Sequence, residues 1–525
     1  MAFMTDRVET DVLVIGSGIA GATAALELAE AGLGVTVVTL AQDPRESNTY
    51  HAQGGIVFKG EDDSPELLAE DIKRAGAGHC NEMAVKILSE EGPRLLEELL
   101  IGKAKVEFDR NGDGSLSLIK EASHSVPRIV HAADATGKAV QTALQKRMAS
   151  HANITLLTEH TAIDLLTPSH HARDRLAVYD TLSCVGAYIL DQREGRVVRC
   201  LAKRTILATG GLGQIFLRTT NPAGARGDGV AMADRAGARV INTELIQFHP
   251  TTFYHPHAPN ALISEAVRGA GAKLVREDGQ PFMEEYSPEW GDLAPRDVVA
   301  RSIHNEMLKL DTPHVFLDLR SYIPSDQITE HFPNIYQTGL SYGVDISKDL
   351  VPVVPAAHYF CGGVWTDEWG RTTINQLYAV GEVACTGLHG ANRLASTSLL
   401  EGLVWGKRAA DHVGQDLPLL FPQPPFDIPS WEDYGTEPPD PALISQDLGS
   451  IKHIMWNYVG LIRTTPRLAR AIRELRALET EIEGFYRVTR ITDGLIGLRN
   501  AVRTSILITM AAWENKASMG CHHRE

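Results

Sequence analysis

An α/β fold is predicted, with a parallel sheet in a domain interrupted by an inserted capping domain and followed by a helical C-terminal domain. Three observations carry it. Residues 10–40 read as strand, glycine turn, helix, strand. Two further buried strands, far downstream, also run straight into glycine. Between those two strands, and again after them, the texture of the chain changes.

The apolar run Val12-Leu13-Val14-Ile15 has the composition of a strand buried on both faces. Gly16-Ser17-Gly18-Ile19-Ala20-Gly21 follows, and residues 22–31 are rich in Ala, Leu and Glu, which are strong helix formers. Gly32 and Gly34 end that helix, and Val35-Thr36-Val37-Val38 makes the second strand. Thr205-Ile206-Leu207-Ala208 runs into Thr209-Gly210-Gly211, and Leu377-Tyr378-Ala379-Val380 into Gly381-Glu382. Strands that each end in glycine predict one parallel sheet whose carboxyl edge meets a ligand. Residues 240–351, with scattered His, Pro and Arg, read as an inserted α+β capping domain, which leaves the sheet domain discontinuous over 1–239 and 352–421. Pro422, Pro424, Pro425, Pro429, Pro438, Pro439 and Pro441 mark a linker over 422–442. Residues 443–525 read as a helical domain, with Leu468, Ile472, Leu475 and Leu478 recurring at three- and four-residue steps.

The 525 residues, 43% hydrophobic and 22% charged, give room for two or three domains and a large core. A net charge of −16, from 66 acids against 50 bases, gives no electrostatic footprint for nucleic acid. It does not exclude an anionic substrate, because a few arginines in a cleft can dominate the local field. Cys80, Cys184, Cys200, Cys361, Cys385 and Cys521 have neither metal-ligand nor redox-motif spacing and read as reduced thiols. No stretch is long and apolar enough to span a bilayer, and Met1 to Glu9 lacks a basic-then-apolar leader pattern, so a cytoplasmic protein without membrane contact is expected. Asp109-x-Asn111-x-Asp113-Gly114 imitates a calcium loop, but Lys120 occupies the twelfth position where a bidentate Glu is required; a hairpin turn is expected. His255-x-His257 and His522-His523 lack a third ligand, so no metal site is expected.

Gly16-x-Gly18-x-x-Gly21 opens a βαβ unit in the context that a Rossmann-like dinucleotide turn requires. The first glycine allows the tight turn, the second lets backbone approach a pyrophosphate, and the third permits close helix–strand packing. Gly16, Ser17, Gly18, Ile19, Ala20 and Gly21 are therefore expected cofactor contacts. The acid that usually ends the second strand and holds a ribose is missing, with Thr39-Leu40-Ala41 in its place. Cofactor signals recur downstream, which favours FAD over NAD. Asn48-Thr49-Tyr50-His51-Ala52-Gln53-Gly54-Gly55 is a small-residue segment able to wrap a flat ring system, and Glu382 ends its strand with an acid suited to ribityl hydroxyls.

Gly16 to Gly21, Ala52-Gln53-Gly54-Gly55, Ala208-Thr209-Gly210-Gly211 and the run from Gly381-Glu382-Val383-Ala384 through Glu401 together resemble the succinate dehydrogenase/fumarate reductase flavoprotein family. The similarity covers nearly the whole chain. It implies an FAD domain interrupted by a capping domain, with the substrate between them and close to the flavin N5. Asp228, Ser398 and Leu399 are expected as further cofactor contacts. Three features are similar to the aspartate-oxidising branch of the family rather than to the dehydrogenases. Many membrane-complex members bond FAD through a histidine near the Ala-Gln-Gly stretch, whereas Asn48 stands at the matching position, so FAD is expected to be non-covalent. His131-Ala132-Ala133-Asp134-Ala135-Thr136-Gly137 is similar to a segment typical of that branch. Glu121 falls where the resemblance puts a carboxylate that orients the substrate's α-amino group, an ammonium that succinate lacks.

The resemblance carries substrate roles onto His249, in Gln247-Phe248-His249-Pro250, and onto Ser264, Glu265, Arg296, His358 and Arg393. A dicarboxylate needs two cationic clamps, and arginine's planar fork suits each carboxylate; histidines add donors. The implied reaction holds both carboxylates of L-aspartate on Arg393, His249, His358 and Ser264, with the amino group on Glu121. A hydride passes from Cα to flavin N5, and Arg296 is the proton donor/acceptor. Iminoaspartate leaves, electrons go to oxygen (giving hydrogen peroxide) or fumarate, and the product feeds quinolinate synthase and NAD synthesis. The rival reading is a soluble fumarate reductase or the flavoprotein subunit of a succinate dehydrogenase with an iron–sulfur partner; Glu121 and Asn48 stand against it. A non-catalytic flavoprotein would need neither the two arginines nor the two histidines. Leu40 stands where many members of the branch carry Lys, and Ser518-Met519-Gly520 where they carry a Ser-Arg-Gly-type segment.

Overall fold

A computed structural model describes residues 6–121, 123–257, 261–417, 427–433 and 435–525. Pro422, Pro424 and Pro425 of the expected linker lie outside the described residues.

The strand Arg7–Ile15 sits inside a seven-stranded sheet ordered Ile154–Thr158, Val35–Thr39, Arg7–Ile15, Arg196–Leu207, Gly186–Asp191, His160–Leu165, with Leu377–Ala379 also paired to Arg196–Leu207. The first four strands and Leu377–Ala379 are parallel, whereas Gly186–Asp191 runs antiparallel to both its neighbours. Alternate side chains of the apolar run serve two cores, as a pleated strand requires. Val12 and Val14 pack under the helices Ile19–Glu30 and Ser398–Asp416, while Leu13 and Ile15 pack towards Ile246 and the C-terminal helices. Register sets Ile15, Leu207 and Ala379 side by side. The turns that follow, at Gly16, Gly210 and Gly381, therefore leave one edge of one sheet. This is the glycine-lined carboxyl edge expected from the sequence.

Between the second and third of those turns lies a four-stranded antiparallel sheet ordered Ile246–Phe253, Val351–Phe360, Val315–Asp318, Lys273–Val275. Phe282, Val299, Ile303, Leu317 and Val353 fill its core. The expected boundary at 351/352 falls at the start of Val351–Phe360, a strand of this sheet paired with Val315–Asp318 and, up to Phe360, with Ile246–Phe253. A three-stranded sheet of Ile56–Val57, Ile129–Val130 and Leu118–Ile119 carries the loop on which Glu121 sits.

Three helices, Pro441–Val459, Thr465–Val488 and Asp493–Glu514, form the C-terminal region. Leu468 and Leu475 are buried in the same core as Met455 and Leu498, and Leu478 packs against it. Residues before these helices are packed too. Ile428 is buried beside Tyr188 and Ile491, and Glu437 bridges to Thr489. The calcium-loop look-alike is a tight hairpin, with Arg110 bridged to Leu116 and the Asn111 amide donating to Ser115 O at 2.8 Å. Among the described residues no helix is long and apolar enough to cross a membrane, and no group of His, Cys, Asp or Glu could hold a metal ion.

Candidate active site

One cavity of about 470 Å³ runs from the first glycine turn to Arg296, Arg393, His249 and His358. At the first end Gly16 has φ +114°, and a Cβ there would collide with the Ala208 carbonyl. A Cβ on Gly21 would strike the carbonyl of Gly16, so Gly21 fixes the helix-to-strand distance and does not line the cavity. Gly18, Ile19 and Ala20 do line it. Ser17 lines it as well, its Oγ donating to Pro44 O and its carbonyl accepting from Gln141 and Gln145, all at 2.8 Å. Thr49 Oγ1 accepts the Ile19 amide at 3.0 Å and ties the segment 48–55 to the start of the helix.

Asn48, Thr49, Ala52, Gln53, Gly54 and Gly55 line the middle of the cavity. Asn48 Nδ2 donates to Glu382 Oε2 at 2.7 Å, and the Phe360 amide donates to Glu382 Oε1 at 3.0 Å. Burial pushes the Glu382 carboxyl up to about 7. The buried Oδ1 of Asn48, Oε1 of Gln53 and Oγ1 of Thr209 have no protein partner. Such atoms call for a polar ligand. A glycine turn at a helix N-terminus and a row of unpaired polar atoms along the same cavity fit FAD. Ser398 and Leu399 begin the helix Ser398–Asp416 at its wall. Asp228 also lines it, though its carboxylate is held by Arg226 at 2.9 Å and by Asn500 at 2.8 Å. His51 sits exposed at the rim with Glu46 at 2.7 Å, while Tyr50 does not line the cavity and lies edge-on to His51.

At the far end the four-stranded antiparallel sheet aims two histidines. Gln247 pairs with Tyr359 and Phe248 with Ala357, which leaves His358 as the extra residue of a β-bulge. Bulges of this kind redirect a side chain. The His358 ring stands 5.2 Å from that of His249, with its Nδ1 2.8 Å from Thr220 Oγ1. Burial, then the charges of Arg296 and His358, push His249 well below the usual imidazole range; burial, Arg393 and Arg296 do the same to His358. Both rings are neutral at physiological pH. The charge of the chamber comes from its arginines.

Arg296 is the first residue of the helix Arg296–Leu310, and its Nε donates to Glu265 Oε2 at 2.7 Å. Burial raises the Glu265 carboxyl, but Arg296 and Arg268 outweigh it and hold the group below its usual value. Ser264 caps the short helix Glu265–Gly269, its Oγ accepting the Ala266 amide at 3.3 Å, and lines the cavity. Arg393 is 6% exposed and has no carboxylate at ion-pair distance among the described residues. Its guanidinium carbon stands 4.6 Å from the centre of the Tyr359 ring. Glu121, also buried, accepts from Ser396 Oγ at 2.7 Å. Burial raises its carboxyl above the usual range, against the opposing pull of Ser396, Arg296 and Arg393.

Every substrate residue expected from the sequence therefore lines one chamber. Sequence reasoning missed Gln247, Ser396, Thr220 and Tyr359. Gln247 lies two residues before His249, and its Nε2 donates to Arg393 O at 2.9 Å while its Oε1 faces Arg296 Nη1 at 3.4 Å. The period of a strand could have flagged it. Ser396 owes its place to a φ of +57°, for which the sequence gives no signal.

Fold and site together define an oxidoreductase of the flavoprotein class. The FAD binding domain family matches residues 11–399. The E. coli quinol fumarate reductase chain FrdA superposes with a TM-score of 0.89 at 27% identity, covering 99% of this chain and 92% of that one. L-aspartate oxidase 1 of Ralstonia nicotianae is 46% identical over 517 residues, 98% of this chain and 94% of the relative. L-aspartate oxidase of Yersinia pestis is 43% identical over 521 residues, 98% and 95% of the two chains. The chain belongs to the L-aspartate oxidase family.

Proposed function

We propose that this protein oxidises L-aspartate to iminoaspartate in a chamber between its FAD domain (1–239 and 352–421) and its capping domain (240–351). The observation that carries this reading is Glu121, a buried carboxylate sharing one chamber with Arg393, a guanidinium with no carboxylate at ion-pair distance among the described residues. A dicarboxylate alone has no use for Glu121. A dicarboxylate bearing an ammonium has.

When bound, FAD supplies the ring that accepts a hydride from the substrate carbon and hands the electrons to oxygen or fumarate. Gly16 to Ala20, Asn48 to Thr49, Ala52 to Gly55, Asp228, Glu382, Ser398 and Leu399 would hold it. Asn48 offers a carboxamide already bonded to Glu382, so the reading takes FAD as non-covalent. Arg393 grips one carboxylate with its planar fork, and Ser264, His358 and His249, the last in the tautomer whose Nδ1 accepts the Thr251 amide and whose Nε2 carries the proton, donate to the remaining carboxylate oxygens. Neutral histidines suit this, since they add donors without adding charge. Glu121 takes the ammonium in its ionised form. Arg296 handles the substrate proton, with Glu265 behind it and Arg268 behind that, Arg268 Nη2 standing 3.7 Å from Glu265. Such a line of ionisable groups can pass a proton away from the chamber.

The shared fold with a fumarate reductase chain supports fumarate as an acceptor, and favours a soluble fumarate reductase as the second reading. We place the enzyme in the cytoplasm, supplying iminoaspartate to quinolinate synthase for NAD synthesis. Hydrogen peroxide and ammonia, measured in air with L-aspartate, D-aspartate or succinate as sole substrate, test the assignment. Peroxide with L-aspartate alone is expected. Activity confined to succinate overturns it.

A further inference from the structure

Arg393 and Arg296 are held in opposite ways. Glu265 pairs with Arg296 directly, so a substrate carboxylate would have to compete with it. Around Arg393 the polar contacts are long: Nη1 reaches Leu394 O and Ser398 Oγ at 3.4 Å each, and the buried Nε has no partner. What lies against it is the face of Tyr359. The hydroxyl of that tyrosine donates to Glu401 Oε2 at 3.0 Å. The same carboxylate receives His389 Nε2 at 2.9 Å and Thr386 Oγ1 at 2.6 Å. Tyr359, Glu401, His389 and Thr386 are all buried, and Glu401 lies in the first turn of its helix, where an acid is favoured.

We propose that Tyr359 is the positioning residue for Arg393: its ring carries the guanidinium by a cation–π contact, and Glu401, accepting the hydroxyl, holds the ring in place. The physical point is division of labour. A cation needs stabilisation when buried, yet a carboxylate in direct contact would occupy the donors that the substrate requires. The negative face of an aromatic ring stabilises the charge and accepts none of the N–H groups. Hydrogen bonding of the phenol to an anion makes the ring face more negative and strengthens the contact. Arg393 thus stays fixed, charged and open to one anion, a free carboxylate. The β-bulge at His358 belongs to the same device, because it puts His358 on the substrate and Tyr359 under the arginine from consecutive positions.

This inference rests on the reading of the chamber as a dicarboxylate site. Its test is titration of the FAD-loaded enzyme with succinate and L-aspartate, anaerobically, following the flavin absorbance. FAD content and melting temperature are recorded in parallel. Tyr359→Phe keeps the ring and loses the link to Glu401, and should weaken succinate about threefold. Tyr359→Leu should weaken it thirtyfold or more, and Tyr359→Trp should recover most of that loss, with FAD content unchanged. Glu401→Gln should behave like Tyr359→Phe. Should Tyr359→Leu lose its FAD, the Phe and Gln variants carry the test, and wild-type affinity in both overturns the proposal. Equal weakening by Phe and Leu also overturns it, since the ring would then contribute nothing. A wild-type enzyme that binds neither dicarboxylate would instead overturn the reading of the chamber, and this inference with it.

Discussion

Arg296 Nε donates to Glu265 Oε2 at 2.7 Å, both side chains largely buried. The pair balances the charge of Arg296 and fixes its direction, with Nε committed to Glu265 and Nη1 held only by a long 3.4 Å contact to Gln247. Arg393, without such a partner, is the stronger anion trap. The two arginines are therefore not equivalent.

Arg296→Leu should leave FAD bound, because Arg296 stands at the substrate end of the cavity and away from the glycine turn. It should lower kcat by 1,000-fold or more, as loss of a group that moves the proton does. Glu265→Gln should lower kcat while changing KM less. Steady-state kinetics with the flavin spectrum of each variant check both. Turnover within tenfold of wild type in Arg296→Leu would refute its role.

Glu121→Gln should raise KM for L-aspartate by about 10- to 100-fold, the range expected for a charge-assisted hydrogen bond of about 1.5–3 kcal/mol. Succinate affinity should hold or improve. The pH dependence follows in sign: burial raises the Glu121 carboxyl, and only its ionised form pairs with an ammonium. KM for aspartate should fall as pH rises through the raised pKa, and the Gln variant should lose that dependence. Kinetics from pH 5 to 8 decide it.

Glu382, pushed to about 7 by burial, makes the FAD-free protein pH-sensitive. A carboxyl whose folded pKa lies above its unfolded value favours the fold when protonated. Its contribution is complete below the ordinary value near 4.5 and is lost as pH rises through about 7. The melting temperature of the FAD-free protein should fall across that window, and Glu382→Gln should flatten the fall. Thermal scans at half-unit steps of pH test this.

Gly16→Ala should abolish FAD binding or folding, because φ +114° is strained for any side chain and the Ala208 carbonyl already fills the space. Flavin content after purification reports it directly. Retention of a full complement of FAD would show that the turn is not what seats the cofactor.

The sheet was legible because Val12-Leu13-Val14-Ile15, Thr205 to Ala208 and Leu377 to Val380 are short, largely apolar and stop at glycine, the pattern of strands buried on both faces. Their register was not legible, since nothing local tells Ile15 that Leu207 will lie beside it. The site was legible residue by residue through resemblance, and its geometry was not. His358 reaches the chamber through a bulge and Ser396 through a left-handed backbone, both set by neighbours distant in sequence. Tyr50 shows the converse. In the tightly turned segment Asn48 to Gly55 successive side chains cannot all face one cavity, so this residue lies outside it.

The most direct test of the account is anaerobic mixing of the FAD-loaded protein with L-aspartate, and separately with succinate, following the flavin absorbance. L-aspartate should bleach the flavin rapidly and succinate should not, with colour and hydrogen peroxide returning together when air is admitted. Bleaching by succinate and silence with L-aspartate would contradict it.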